Sequence, residues 1–175
     1  MNLTLVQAVE DFLYYKSAHC VEKTIIFYRE NLYKFIRWYA ENYNITESNI
    51  MLNNLNNKVL NEYLIWLRNP IHGGRTDEKI SNNTIRTYQR ALRTFLNYCF
   101  TEDYIDIDLT KKFKFVRETE SIVLPLYQEE VNSIDDMFNP KCKQGIRNIC
   151  MIHLMLDAGL RSGEVVRLNV GDIDF

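Results

Sequence analysis

The sequence predicts a mainly α-helical protein, and three observations carry that prediction. Apolar residues in the first hundred positions recur every three or four places in four separate stretches, the spacing that puts them on one helix face. Thr4 and the pair Ser81-Asn82 stand just ahead of two of these stretches, where short side chains cap free helical N–H groups, while Pro70, Gly73 and Gly74 interrupt the pattern. Hydrophobic residues make up 46% of the 175 residues and charged ones 25%, a balance that supports a packed core and argues against a disordered chain.

Taken in order, Thr4 caps a first helix with Leu5, Val9, Phe12 and Leu13 on its buried side. A second helix starts near Val21 or Glu22 and runs to about Tyr43, with the stripe Ile25, Tyr28, Leu32, Phe35, Ile36 and Tyr39. The polar stretch from Asn42 to Asn57 is a connection with a short turn around Ile50 to Leu55. A third helix covers roughly Asn57 to Arg68 and buries Val59, Leu60, Tyr63, Leu64 and Leu67, and Pro70 ends it. Ser81 or Asn82 caps a fourth helix to about Phe100, with Ile85, Tyr88, Leu92, Phe95, Leu96 and Cys99 inward. Four amphipathic helices of this length make a bundle.

From Asp103 to Leu124 the periodicity fails. This stretch, with the basic residues Lys111, Lys112, Lys114 and Arg117, reads as an extended linker between domains. Pro125 and the acidic pair Glu129-Glu130 open a helix from Gln128 to Met137. A strong helix follows over about Gly145 to Ala158 and stops at Gly159, which suits the left-handed residue after a helix. Val165 to Leu168 predict one or two further helical turns, and Val170 to Phe175 the start of a strand.

Several function classes are disfavoured at this level. Cys20, Cys99, Cys142 and Cys150 form no CxxC pair and have no His at zinc-finger spacing, so reduced, mostly packed thiols are expected, with no metal and no cofactor. The N-terminus acquires acids too early for a signal peptide. The longest apolar stretch, Ile149 to Leu160, is broken by His153 and Asp157 and is too short to span a bilayer. A cytoplasmic protein without a membrane partner is the expectation.

Net charge is −2, so any case for nucleic acid rests on where the charges lie. At about 100° per residue, Arg86, Arg90 and Arg93 project together from the fourth helix, opposite its apolar stripe, with Asn83, Thr94 and Asn97 among them. No acidic residue occurs from Lys79 through Thr101. The helix start adds Asn82, Asn83 and Thr84, whose short polar groups and free N–H groups suit phosphate contacts. The second helix exposes Lys23, Lys34 and Arg37, with Glu30 among them. A solvated helix face accounts for any one such helix; an acid-free run of this length on an acidic chain is less ordinary.

The segment DAGLRSGEVVRLNVGDIDF, with the apolar helix before it, resembles the first signature of the tyrosine recombinases, or phage-type integrases. VEKTIIFYRENLYKFIRWY and SNNTIRTYQRALRTFLNYC look like the second and fourth helices of that family's core-binding, SAM-like domain. LPLYQEEVNSI resembles the opening of its catalytic domain, although Tyr127 stands where the family has a Ser or Thr cap. The resemblance implies a four-to-five-helix SAM-like DNA-binding bundle over residues 1–102, a linker over 103–124, and over 125–175 the mostly helical beginning of an α+β catalytic domain. It implies metal-free attack of a tyrosine hydroxyl on a DNA phosphodiester, giving a 3′-phosphotyrosyl intermediate. Arg161 matches the first catalytic arginine, a planar and permanently charged group able to neutralise the phosphoryl oxygens. Glu164 matches the acidic position that orients the site.

The family's remaining catalytic parts have no match in these residues. His72-Gly73-Gly74-Arg75 spells His-x-x-Arg but precedes Arg161 and sits in a Pro/Gly break, and none of the 11 tyrosines has a nucleophile's context. One arginine cannot supply nucleophile, general acid and charge stabilisation together, so the chain is expected to bind duplex DNA without cutting it. Other recombinase subunits are implied partners, and an incomplete catalytic domain invites self-association through its uncovered final helix. The alternatives are a non-enzymatic helical protein–protein module or a shortened recombinase acting as a DNA-binding regulator. The scattered cysteines and histidines argue against a metal-dependent or redox enzyme.

Overall fold

The computed structural model describes residues 3–69, 80–118 and 124–173. They belong to two compact units, Met1–Glu120 and Ser121–Phe175.

Unit 1 is built on α1 (Leu5–Ser17), α2 (Glu22–Tyr43), α3 (Asn57–Leu67) and α4 (Asn82–Thr101). Its helix starts follow from local chemistry. Thr4 Oγ1 accepts the Gln7 N–H at 3.2 Å while Gln7 Oε1 accepts the Thr4 N–H at 3.0 Å, a closed capping box. Asn56 Oδ1 takes the Lys58 and Val59 N–H groups, and Ser81 Oγ takes that of Thr84. Asn44 ends α2 in a left-handed conformation, φ 50°, which Asn tolerates better than most residues. The connection between α2 and α3 holds two short 3-10 turns, Glu47–Asn49 and Leu52–Asn54, and is tied to the N-terminus by Leu5 N–H to Ile50 O and Leu52 N–H to Leu3 O.

The four apolar stripes meet in one core rich in rings. Phe12 lies edge-on to Tyr28, Phe95 and Tyr98, and Tyr63 of α3 packs against Phe35 and Trp38 of α2. Pro70, Gly73, Gly74, Lys79 and the His72–Arg75 tetrad lie outside the described residues.

The stretch read as an extended linker is corrected over its first part. Ile105, Leu109, Phe113 and Val116 are buried and belong to the unit 1 core. After α4 the chain turns at Asp103, φ 55°, with Tyr104 N–H bonded to Cys99 O, and runs back along the helix through a 3-10 turn at Leu109–Lys111. The glutamine at position 89, itself buried, clamps this returning segment: its Nε2 donates to Lys114 O at 3.0 Å and its Oε1 accepts the Val116 N–H at 2.8 Å. Those two main-chain groups have no helix or sheet to satisfy them, so a side-chain amide does it.

Unit 2 contains α5 (Gln128–Asp136), α6 (Lys143–Asp157) and α7 (Ser162–Val165). Helix α6 starts two residues earlier than its apolar pattern suggests, because Cys142 acts as its cap. At Gly145 no side chain fits: a Cβ would stand 1.9 Å from Asn139 O. Gly159 adopts the expected left-handed φ of +67°. The expected strand from Val170 is corrected too. Val170–Asp172 is a 3-10 turn, closed locally by Asp172 Oδ2 on the Asn169 N–H at 2.9 Å, and among the described residues no strand is present. Unit 2 buries little: only Gly145 and Val165 among its described residues, while Met137, Val166 and Val170 are exposed. The thiols are likewise less packed than expected. Cys99 is buried, which pushes its pKa up to about 12, but Cys142 and Cys150 are exposed.

His153 is not an interior histidine. It bridges α5 and α6, with Nε2 2.9 Å from Asp135 Oδ2 and Nδ1 3.6 Å from Asp157 Oδ2. The Asp135 hydrogen bond and charge, then Asp157, hold its pKa above the ordinary histidine value. A raised folded pKa stabilises the charged form, so this contribution is complete below about pH 6.5 and is lost as pH rises through the folded value. Amide protection factors in α5 and α6, corrected for the intrinsic base-catalysed exchange rate, are therefore expected to be higher near about pH 6 than near about pH 8, and His153→Gln to remove that difference. An unchanged pH dependence in that variant would show the bridge to be inert.

Candidate functional site

Between α2 and α4 lies an open groove of about 680 Å³ lined by Lys34, Arg37, Asn83, Thr84, Thr87 and Tyr88, with Phe27, Glu30 and Asn31 at its α2 side. Four residues singled out in the sequence, Lys34, Arg37, Asn83 and Thr84, thus share one concavity. Helical spacing explains the convergence. Positions 27, 30, 34 and 37 fall on one ridge of α2, and 83, 84 and 87 open the facing side of α4.

Lys34 is a fixed cation. Its Nζ donates to Tyr88 Oη at 3.0 Å and stands 4.4 Å from the Tyr88 ring centroid and 5.9 Å from that of Trp66. Arg37 is exposed at the groove. Lys23 is exposed in the first turn of α2, on the same ridge and about 16 Å from Lys34 by helical rise. Asn82 is the first residue of α4, beside the lining residues. Arg90 is exposed on the outward ridge of α4, next to Thr94.

Arg86 and Arg93 require a correction, since the structure does not leave the three arginines on one free face. The returning segment covers the flank of α4 that carries them. Arg86 Nη1 donates to Val116 O at 2.8 Å, its Nη2 pairs with Glu118 at 3.2 Å, and the guanidinium lies 5.6 Å from the Phe115 ring. The Arg93 guanidinium stands 5.2 Å from the centroid of the same ring. Arg86 therefore holds the segment in place. The basic residues Lys112, Lys114 and Arg117 on that segment are exposed.

Sequence reasoning missed two contributors. Tyr88 was assigned to the apolar stripe, and its hydroxyl instead reaches the groove. Gln89 carried a signal: it occupies the inward position between Ile85 and Leu92, where an uncharged polar side chain needs a buried partner.

In unit 2, Arg161 is the residue before α7 and is exposed. Glu164 Oε2 accepts the Arg161 N–H at 2.8 Å, and Glu164 Oε1 lies 3.2 Å from Arg161 Nη1. One carboxylate thus fixes both the main chain and the guanidinium of position 161. Arg147 is exposed and touches its neighbour Asn148. No helix among the described residues is long and apolar enough to cross a membrane.

Residues 4–115 match the phage integrase SAM-like domain. The chain belongs to that family. The matched range includes the returning segment up to Phe115, not only the four helices. The SAM-like bundle is also similar to the crystal structure of the N-terminal domain of a phage integrase/site-specific recombinase from Haloarcula marismortui. That likeness has a TM-score of 0.52 and 22% identity, covering 66% of this chain and 99% of that one. Among curated relatives, the tyrosine recombinase XerC of Chlamydia caviae is 30% identical over 100 residues, 56% of this chain and 31% of that protein. The XerC of Pelotomaculum thermopropionicum is 20% identical over 168 residues, 95% of this chain and 52% of that protein. This SAM-like chain therefore spans roughly a third to a half of the length of such relatives.

Proposed function

We propose that unit 1 grips duplex DNA through the α2–α4 groove, as the DNA-binding part of a site-specific tyrosine recombinase of mobile DNA acting in the cytoplasm. The observation that carries this reading is the convergence of Lys34, Arg37 and the start of α4 on a chain whose net charge is −2. Lys34, Arg37, Asn83 and Thr84 contact the sugar-phosphate backbone, Lys23 and Arg90 extend the track, and Asn82 lends the helix start its polar group. Arg86 serves the fold instead. With the segment up to Glu118 clamped to α4, the DNA-binding unit ends near residue 118.

In the whole recombinase, Arg161 faces the scissile phosphate and Glu164 holds it there, the pairing already formed between them. Within these residues the activity to test for is binding, with Arg161 and Glu164 supplying charge stabilisation at the phosphate. The apolar side chains that unit 2 exposes pair with a second copy; a concentration-independent monomer mass in sedimentation would refute that.

The test is affinity for duplex DNA as a function of salt. Phosphate contacts release counterions, so log K should fall linearly with log salt at a slope of about −0.9 per contact. A slope near zero, or no binding at low salt, removes the assignment and leaves a protein–protein module as the reading of the bundle.

A further inference from the structure

The far end of α4 carries a second recess, of the opposite electrical character. Asp11, Tyr14 and Tyr15 of α1 face Tyr98 of α4 and Tyr104 just beyond it around a space of about 490 Å³. Tyr98 lies about 15 Å along the helix from Tyr88 of the groove. The tyrosines form a connected set: Tyr15 and Tyr98 have centroids 5.1 Å apart, and Tyr98 and Tyr104 meet edge to face at 5.9 Å. Tyr14 is 83% exposed at the rim, and Tyr15, though packed on Tyr98, is still 43% exposed.

Three features give this recess a preference for cations. The faces of aromatic rings are electron-rich and attract positive groups. Neither Asp11 nor Glu102 has an ion-pair partner among the described residues. Burial first, then Tyr104, Glu102 and Asp11, hold the Tyr98 hydroxyl strongly in its neutral form, which places both carboxylates within electrostatic reach of that ring. The same aromatic cluster already holds a cation of its own: Lys16 Nζ lies 5.5 Å from the centroids of both Phe12 and Tyr15, and Phe12 packs on Tyr98. A phosphate backbone is excluded by sign. A purely apolar segment would strand the Asp11 charge.

We propose that this recess binds an arginine or lysine side chain presented by a partner polypeptide, its cationic head beside Asp11 and against the contacting Tyr15–Tyr98 ring pair, and its methylene stem along Tyr14. Large, stiff rings beside one carboxylate suit such a side chain, because they supply contact area at little entropic cost and leave the charge paired. The inference is independent of the DNA reading, since it uses a different end of the bundle and different residues.

The experiment is an NMR titration of the full chain with N-acetyl-arginine amide, and in parallel with N-acetyl-citrulline amide, which has nearly the same shape and no charge. The expected result is a saturable millimolar response confined to Tyr14, Tyr15, Tyr98 and Tyr104, and a severalfold weaker one with citrulline. Asp11→Asn should weaken arginine binding about threefold, as for an exposed ion pair. Tyr14→Ala should weaken it to a similar degree. Both positions are exposed, so an unchanged unfolding midpoint confirms that the variants are folded. Equal responses to the two probes, or shifts scattered over the surface, overturn the proposal. Shifts of the same tyrosines with protein concentration alone would make a second copy the occupant, and shifts with duplex DNA would return the recess to the nucleic-acid surface; either result overturns the assignment to a foreign partner.

Discussion

Phe113→Ala in the intact chain is expected to lower the unfolding free energy of unit 1 by about 3–5 kcal/mol, the usual range for deleting a buried phenyl ring. Phe113 is 2% exposed and packs into the same core as Phe12 and Phe95, although it lies beyond the last helix of the bundle. The loss compares with a total stability of about 5–15 kcal/mol for an ordinary domain, so a large part of the folded population is at stake. A chain ended after Glu102 removes Ile105, Leu109, Phe113 and Val116 together and is expected to show no cooperative urea transition, whereas one ended after Glu118 keeps it. The clamp can be tested separately. Gln89→Met keeps the shape and removes both hydrogen bonds to the returning segment, leaving Lys114 O and the Val116 N–H unpaired, at a cost of about 1–3 kcal/mol for each group left buried. Equal urea midpoints for chains ending at 102 and at 118 would show that the segment is an appendage.

That segment also shows where the sequence stops being legible. The helices of unit 1 could be read because each repeats its apolar residues at a fixed period, and two of them carry a cap visible in the sequence, at Thr4 and Ser81. The extent of α2, Glu22–Tyr43, follows from its apolar period, without a side-chain cap at its start. Ile105, Leu109, Phe113 and Val116 recur at intervals of four, four and three residues, but the segment forms only a 3-10 turn, so that spacing marks no helix face; the flank of α4 explains their burial. The same absence of local signal misplaced Arg86. Projection on a helical wheel correctly set it away from the apolar stripe, but a wheel cannot show that another part of the chain returns to cover that side. Lys34 and Arg37 were visible as cations, and Asn83 and Thr84 as polar groups at a helix start. Their meeting in one groove depends on the packing of α2 against α4, a tertiary fact. In unit 2 the segment from Val170 suggested the start of a strand, but Asn169 and Asp172 bond locally, and that contact won.

Replacing Lys34, Arg37 and Arg90 with Gln in one chain is expected to weaken duplex binding on the order of 10²–10³-fold at about 0.1 M salt. Each phosphate contact contributes about 0.9 to the slope of log K against log salt, so losing three should flatten that slope by about 2.7. The slope distinguishes lost contacts from a damaged fold, because misfolding lowers the amount of active protein without changing the salt dependence of what remains. Two controls sharpen the reading. Arg86→Gln removes an equal charge, but that charge is already committed to Val116 and Glu118; it should lower stability and leave the slope alone. Tyr88→Phe keeps every charge and removes only the hydroxyl that accepts from Lys34, so affinity should fall about fivefold, in keeping with a hydrogen bond of about 1 kcal/mol, at an unchanged slope. A triple variant with the wild-type slope would mean that the groove faces away from the duplex. An Arg86 variant with a flattened slope would mean that the returning segment lifts off α4 when DNA binds, freeing the very guanidinium that the unbound fold holds down.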